Sequence, residues 1–580
     1  MLERRGFLRR GPWPMLLLAL LVLAAFATSF PGAYLYDDFP IIQDNPQVIE
    51  PHLPTILVAD YWGVGVNSRL HRPLTILSYV LNRSLFGPGA FSFHLVNVLL
   101  HVGVTLLLYA TLLALGLGAS VSWPAAALFA VHPIHTETVN IITGRAELLA
   151  ALFMFLGLLL AFSRGRLHHL WVGVSHVAAL LSKENGAVFP LLLFLGDAFG
   201  ERDWRELLRR RWRLYAQSVG VTLAWLALRH WALPSAGLMA NTVRPLDNPL
   251  VDLAPPWRLI TAFKVQLLYL GKLLLPARLH VVYVDRMMGL VANLSDPWWV
   301  AVLLLITALM GSAVLGWRRR QAWSLGLAWY AAAFLVTGNF LVITEYLMAE
   351  RFAYIPSAGF CLAAAALIGM ALRKIADQGL QRRAATMVFG TVLLLLVGRT
   401  LVRNTDFRDH VGLWEAETRN APANIRAWLF LSGAYQQRER WEDAERALRS
   451  AARLDPRLME TWMSFGELYQ RQGRDNEARA AYRRALDSGM STFEALEGYT
   501  VSSLRLGFPQ DALTVLNWLG DLYRDRGGYW HLVGMAREAA GDRDGAVAAY
   551  RAAIGFRDCP PETPGILRDL PARMGPGSVP

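Results

Sequence analysis

Two adjacent carboxylates, Asp37 and Asp38, stand in the stretch "AYLYDDFPIIQDNP" (33–46), a few residues after an apolar run that ends near Phe30. An acid beside a membrane is costly unless it is paired or used, and flanking Tyr36 and Phe39 imply a partly dehydrated setting. The bland reading is a solvated turn or helix N-cap before Pro40. The sharper one is a general base toward a hydroxyl nucleophile, or a carboxylate that helps hold a divalent cation.

Other ionisable groups recur in three further short segments. "HPIHTETVNIITGRAELL" (132–149) carries His132, His135, Glu137, Arg145 and Glu147; "SKENG" (182–186) carries Lys183 and Glu184; "TEYLMAERFAYIP" (344–356) carries Glu350, Arg351 and Tyr354. His132, His135 and Glu137 could form a metal site, since i and i+3 histidines share a helix face, or they could cap the end of a span. A lone arginine at a membrane boundary usually snorkels to headgroups, whereas in a cavity the Arg145 fork would clamp a phosphate. Glu350 and Arg351 are adjacent, so they point to different faces and need different partners. An ion-pair network between turns is the structural alternative for them and for Lys183 and Glu184. No cofactor is dictated by this set; a divalent cation, magnesium or manganese, is one it could hold. His94, Asn97 and His101 share one helix face, which packs inward, and receive no chemistry.

The elements that carry these residues are membrane helices. The 580-residue chain is 54% hydrophobic and 18% charged, which excludes an ordinary soluble fold for its first four hundred residues. The basic start with Arg4, Arg5, Arg9 and Arg10 suits an uncleaved anchor, because many spans follow. The net charge of +12 sits in short loops: Arg164 and Arg166, Arg202 to Arg213, Arg318 to Arg320, and Arg373, Lys374, Arg382 and Arg383. That is a topology signal and no nucleic-acid face. With those loops cytoplasmic, crossings thread at 15–30, 93–114, 119–134, 147–163, 168–182, 186–200, 214–232, 298–316, 322–341, 355–372 and 385–402. These eleven spans place four turns outside: the long loop 31–92, which includes Arg72 in "SRLHRPL", and the three segments above. The stretch 259–279, with Lys264, Lys272 and Arg278, breaks the parity if it crosses and is predicted as an amphipathic helix on the outer interface. Cys361 and Cys559 form no structural disulfide.

After Thr400 a strict period takes over. Trp428, Trp462 and Trp530 are spaced by one and two units of 34, with Leu496 at the intermediate place; Ala444, Ala478, Ala512 and Ala546 recur at 34. The pattern resembles tetratricopeptide repeats. The predicted organisation is 1–402 membrane domain, 403–424 linker, 425–558 four repeats and 559–580 disordered tail. The fold class is all-α: a polytopic membrane helical bundle followed by an α-solenoid.

The segments "YLYDDFPIIQDNPQV", "HRPLTILSYVLN", "FHLVNVLLH", "ALFAVHPIHTETVNIITGRAELLA", "LLSKENG", "ERFAYIPSAGF" and "RTLVRNTDFRDHVGLWE" together resemble the transmembrane and tetratricopeptide-repeat-containing O-mannosyltransferases and their bacterial relatives. The resemblance implies a GT-C-like glycosyltransferase. Such an enzyme takes a hexose, by association mannose, from a polyprenyl-phosphate donor on the extracytoplasmic face of the cell membrane, or the luminal face in an endoplasmic reticulum. It also implies an essential acid at Asp37 or Asp38, contact of Arg145 with the donor phosphate, and repeats that hold a polypeptide acceptor. With it, Arg351 and Lys183 become further phosphate contacts, and Arg72, His132, His135, Glu137, Glu147, Glu184, Glu350 and Tyr354 supporting site residues. Only four repeats are present, which points to a bacterial relative and leaves sugar and acceptor open. Transfer to a lipid or envelope polysaccharide, and a non-catalytic membrane scaffold with partner-binding repeats, are the competing functions. A transporter fits less well, because the polar groups gather at one face and not at the midplane.

Overall fold

The computed structural model describes residues 12–63, 68–163, 168–201, 203–233, 243, 247–488 and 492–573. The four N-terminal arginines, Arg164, Arg166, Arg202 and residues 574–580 therefore lie outside the described residues. Everything described is helix or connection, with no strand. The chain divides into two compact units, Met1–Ala421 and Pro422–Pro580.

In the first unit the helices are α1 (Trp13–Ala25), α2 (Pro73–Phe86), α3 (Ala90–Ala114), α4 (Ala119–Val131), α5 (Arg145–Ser163), α6 (His168–Ser182), α7 (Phe189–Gly200), α8 (Trp204–Ala232), α9 (Pro255–Leu274), α10 (Trp298–Arg318), α11 (Ala322–Ala333), α12 (Tyr354–Leu372), α13 (Gln378–Asp406) and α14 (His410–Asn420). Each of the eleven expected crossings overlaps a helix, although α11 ends at Ala333 and leaves 334–341 of the expected crossing 322–341 in turns and bends. Among the described residues five helical segments are long and apolar enough to cross alone: Ala90–Ala114, Ile142–Ser163, Trp298–Arg318, Glu350–Leu372 and Gln378–Asp406. α4 falls short because Pro133 forces His132 into extended backbone and ends the helix at Val131. Small residues let spans meet closely: a Cβ on Gly326 of α11 would lie 2.5 Å from the Gly359 carbonyl of α12.

The first loop has a core of its own, for Tyr34, Ile41, Ile42, Val48, Ile56, Tyr61, Ile76 and Tyr79 form a buried cluster with Phe93. Within it lies α2, which has Pro73 in its first turn and a left-handed Gly87 (φ 78°) just past its end. The predicted linker 403–424 is helical over most of its length and belongs to the first unit as far as Ala421. Asp409 caps α14 by accepting from the amides of Val411 and Gly412, and Trp414 and Glu417 are buried. The predicted disordered tail contains a helix, Thr563–Arg573, with Leu570 buried against Ala546 and Tyr550.

The second unit is a run of helix pairs: α15 (Ile425–Gln437) with α16 (Trp441–Leu454), α17 (Met459–Arg471) with α18 (Asp475–Asp487), α19 (Phe493–Arg505) with α20 (Pro509–Tyr523), and α21 (Gly527–Ala539) with α22 (Arg543–Ile554), closed by α23 (Thr563–Arg573). The 34-residue period has a bonded counterpart. The indole N–H groups of Trp428, Trp462 and Trp530 each donate to a carbonyl six residues back, at 2.9, 2.8 and 2.9 Å. The four periodic alanines are wholly buried. Tyr482 stacks where a Cβ on Gly466 would come within 2.5 Å, and Tyr550 does the same against Gly534 at 2.6 Å.

Candidate active site

Asp37 and Asp38 have different structural lives. Asp38 is completely buried and its carboxylate accepts three backbone N–H bonds: Leu35 at 2.9 Å, Ile142 at 3.2 Å and Thr143 at 2.8 Å. It staples the first loop to the turn that precedes α5. That turn is tight, since a Cβ on Gly144 would meet the Thr138 carbonyl at 2.1 Å. Asp37 is only partly buried; its backbone carbonyl accepts from the Ile41 amide at 3.2 Å, while its carboxylate accepts no hydrogen bond among the described residues. It follows Tyr36, whose backbone is left-handed (φ 47°), a conformation that a bulky residue rarely adopts without surrounding constraint. The Tyr36 ring packs edge-on against Trp414, and its hydroxyl lies 3.3 Å from that of Tyr346. Burial pushes the Asp37 carboxyl up to about 7 against the opposing pull of Arg351; Asp38, Glu345 and Glu137 add to the rise. Burial also pushes Asp38 up to about 7, and its three amide donors oppose that.

The cations reach this region in different states. Arg351 is partly exposed, lies over the Tyr346 ring (4.8 Å), and is ion-paired with buried Glu137, whose other oxygen accepts the Arg351 amide at 2.8 Å. Arg351 is therefore both anchored and electrostatically coupled to Asp37. Lys183 is ion-paired with buried Glu147, which also accepts from Asn185 at 2.6 Å. Arg72 makes a forked pair with Glu184 (2.8–3.3 Å) and covers the Tyr61 ring at 5.0 Å.

Arg145 departs from expectation. It is completely buried inside a neutral cage: Asn97 Oδ1 (2.9 Å), Asn82 Oδ1 (2.8 Å) and the carbonyls of Ser78 (3.2 Å) and Phe93 (3.1 Å), between the rings of Tyr79 and Phe93. A guanidinium with its donors engaged and no accessible surface cannot meet a phosphate at the membrane face. Its position ties α2, α3 and α5 together.

Nor do the histidines converge on a metal. Nε2 of His132 donates to the Leu273 carbonyl (2.9 Å) while Nδ1 accepts from the Ile134 amide (3.2 Å). His135 Nε2 bonds to the Ser357 hydroxyl at 2.8 Å, and Glu137 is committed to Arg351. Among the described residues no three His, Cys, Asp or Glu side chains gather as a metal site. Tyr354 bonds to His101 at 2.7 Å, so the inward face of α3 does hold a partner from α12.

Glu350 and Arg351 do point to different partners. Glu350 is fully buried and accepts from the Tyr283 hydroxyl (2.6 Å) and the His280 amide (2.5 Å). Close by in the sequence of contacts, His280 approaches Glu417, which with Asp406 pairs the buried Arg403. Sequence reasoning missed this second network. Its signal was the cluster of Arg403, Asp406 and Glu417 in a segment too charged for a span and too apolar at Val411, Leu413 and Trp414 for a linker.

One carboxylate without a hydrogen-bond donor among the described residues, raised to about 7 by burial, feels the charge of an anchored guanidinium. That pair can take a proton from a hydroxyl and stabilise developing negative charge.

Comparison with known proteins agrees with the helical repeats and with the segments of the first unit. The tetratricopeptide repeat family matches residues 460–488. A protein O-mannosyl-transferase of Caenorhabditis elegans is 26% identical over 457 residues, covering 76% of this chain and 63% of the relative. Protein O-mannosyl-transferase Tmtc3 of Drosophila melanogaster is 26% identical over 556 residues (82% and 59%), and TMTC4 of Homo sapiens 27% over 472 residues (71% and 62%). The chain thus spans rather more than half the length of these relatives. Over some three quarters of its own length it is a homologue of the transmembrane and tetratricopeptide-repeat-containing protein O-mannosyl-transferases.

Proposed function

We propose that this chain is a membrane glycosyltransferase that moves a hexose, with mannose the sugar its relatives' names suggest, from a polyprenyl-phosphate donor to a serine or threonine hydroxyl of a polypeptide on the extracytoplasmic face. Asp37 is the base. The acceptor oxygen attacks the anomeric carbon, its proton passes to the Asp37 carboxylate, and the bond from that carbon to the phosphate oxygen breaks with inversion. The phosphate leaves with the electron pair, and Arg351 supplies nearby positive charge. Asp38 holds the loop and takes no part in proton transfer. The repeats bind the polypeptide.

One observation carries the reading: of the two acids, Asp37 alone is partly open and unbonded, next to an arginine fixed by its own carboxylate partner. A free carboxylate that is neither satisfied nor solvated is poor structure and good chemistry.

The test is sugar transfer in membranes supplied with radiolabelled polyprenyl-phosphate hexose, with the product identified by mass. Wild-type chain should yield hexosylated peptide and Asp37→Asn should yield about 10²- to 10⁴-fold less, the range a lost general base accounts for. Equal transfer by the variant would sink the assignment of Asp37, and a labelled lipid or polysaccharide in place of peptide would replace the acceptor.

A further inference from the structure

The cations first expected to meet the donor's phosphate are all engaged: Arg145 in its neutral cage, Lys183 with Glu147, Arg351 with Glu137, and Arg72 with Glu184. Two arginines of the same unit are different. Arg229, in the last turn of α8, donates through Nη2 to the backbone carbonyl of Arg69 at 2.9 Å, and neither side chain is paired with a carboxylate. Both are partly exposed, yet the Nε atom of each is shielded from water and lacks an acceptor. Trp225, one turn before Arg229 on the same helix face, likewise has a buried indole N–H with no partner. The bond from Arg229 to the Arg69 carbonyl brings together two arginines that have no carboxylate partner among the described residues, and an anion meeting their partly exposed ends would compensate the two charges.

The surroundings orient that anion. Arg69 has a left-handed backbone (φ 64°) and its amide is held by Asp60, which also accepts from Trp62 and Ser68. Its successor Leu70 accepts from the Tyr61 amide at 2.8 Å, and the Tyr61 hydroxyl feels the charges of both Arg72 and Asp37. The loop that presents Arg69 is therefore built onto the candidate catalytic region. On the other side, Leu223, Leu228 and Trp231 of α8 are exposed around Arg229. An apolar flank beside an unpaired arginine pair suits an amphiphile with a phosphate head.

We propose that Arg69 and Arg229 seat the phosphate of a lipid-linked ligand whose chain lies along the outer half of α8. This inference rests on the donor reading above and deepens it. A phospholipid headgroup offers the same chemistry, so the test separates the two sources.

Purified full-length chain is titrated with polyprenyl phosphate, with polyprenol lacking the phosphate, and with phosphatidylglycerol, each in detergent. The variants are Arg69→Gln, Arg229→Gln and Arg229→Lys, each checked for an unchanged thermal midpoint. Wild type should bind polyprenyl phosphate at least tenfold more tightly than polyprenol. Either glutamine variant should lose that difference, and Arg229→Lys should keep part of it, because charge is retained and the fork is not. Asp37→Asn should bind like wild type while transferring about 10²- to 10⁴-fold less sugar. If wild type binds polyprenyl phosphate and both glutamine variants bind it equally well, the seat lies elsewhere and the inference is overturned with the donor reading intact. If wild type does not distinguish polyprenyl phosphate from polyprenol, the donor reading itself fails. Preference for phosphatidylglycerol, lost in the glutamine variants, assigns the seat to bilayer lipid and overturns the donor assignment. Should a glutamine variant unfold, Arg229→Lys alone decides: binding equal to polyprenol contact in wild type, or unchanged from wild type, counts against a forked phosphate contact.

Discussion

At the scale of single residues, the two neighbouring aspartates divide structure from chemistry. Asp38 accepts three backbone amides in a dry setting, so Asp38→Asn loses acceptor capacity and turns an N–H₂ toward those donors. It should lower stability by about 1–3 kcal/mol, read as an earlier thermal midpoint in detergent. Asp37→Asn breaks no side-chain hydrogen bond and should leave the midpoint in place while lowering transfer by about 10²- to 10⁴-fold. The Asp37 carboxyl, raised by burial to about 7, must be deprotonated to act as base. Transfer should therefore fall about tenfold per pH unit below 7 and level off above it, and the residual rate of Asp37→Asn should lack that limb. Linkage runs the opposite way. A carboxyl whose folded value exceeds its unfolded value of about 4 stabilises the fold while protonated, so that contribution is lost as pH rises through about 7.

At the scale of elements, the turn between α4 and α5 is where expectation and structure part. The sequence showed an arginine at a span boundary, which reads as a phosphate clamp or a snorkelling side chain. What it could not show is that Asn82 of α2 and Asn97 of α3 lie 63 and 48 residues away and close over it. Arg145→Ala leaves those two amide oxygens and two carbonyls facing a void, and loss of a buried cation from its cage belongs among the larger single-residue penalties, about 3 kcal/mol or more. The expected outcome is poor recovery of folded chain, with the surviving fraction binding polyprenyl phosphate as wild type does. A folded Arg145→Ala with collapsed donor affinity would restore the phosphate role. Helix positions and the repeat register were legible because they follow local periodicity, down to the tryptophans whose indoles reach back six residues. The opposed orientations of Glu350 and Arg351 were legible for the same reason. The pairing of Arg351 with Glu137 joins residues 214 positions apart, that of Arg403 with Glu417 spans 14 positions across the break between α13 and α14, and the burial of the first loop depends on packing between separate elements, so none of them follows from the periodicity of one helix.

At the scale of the whole molecule, the decisive quantity is the parity of the spans, because it fixes the side of the membrane on which the repeats stand. Among the described residues five helical segments are long and apolar enough to cross alone, and the remaining expected crossings rest on shorter or more basic helices, so the odd count follows from the arginine loops more than from helix length. The two native cysteines offer a direct measurement. Cys361 is completely buried within α12, whereas Cys559 of the repeat unit is partly exposed. In sealed right-side-out membranes a membrane-impermeant maleimide should label Cys559 without permeabilisation. In a Cys559→Ser background with Lys374→Cys, placed in the exposed basic loop between α12 and α13, labelling should require permeabilisation. The reverse pattern would move the repeats to the cytoplasm and, with the basic N-terminus cytoplasmic, require an even number of crossings before them. An acceptor held there could not be served by an extracytoplasmic Asp37, so the same two reactions with maleimide test whether the two units can work on one substrate.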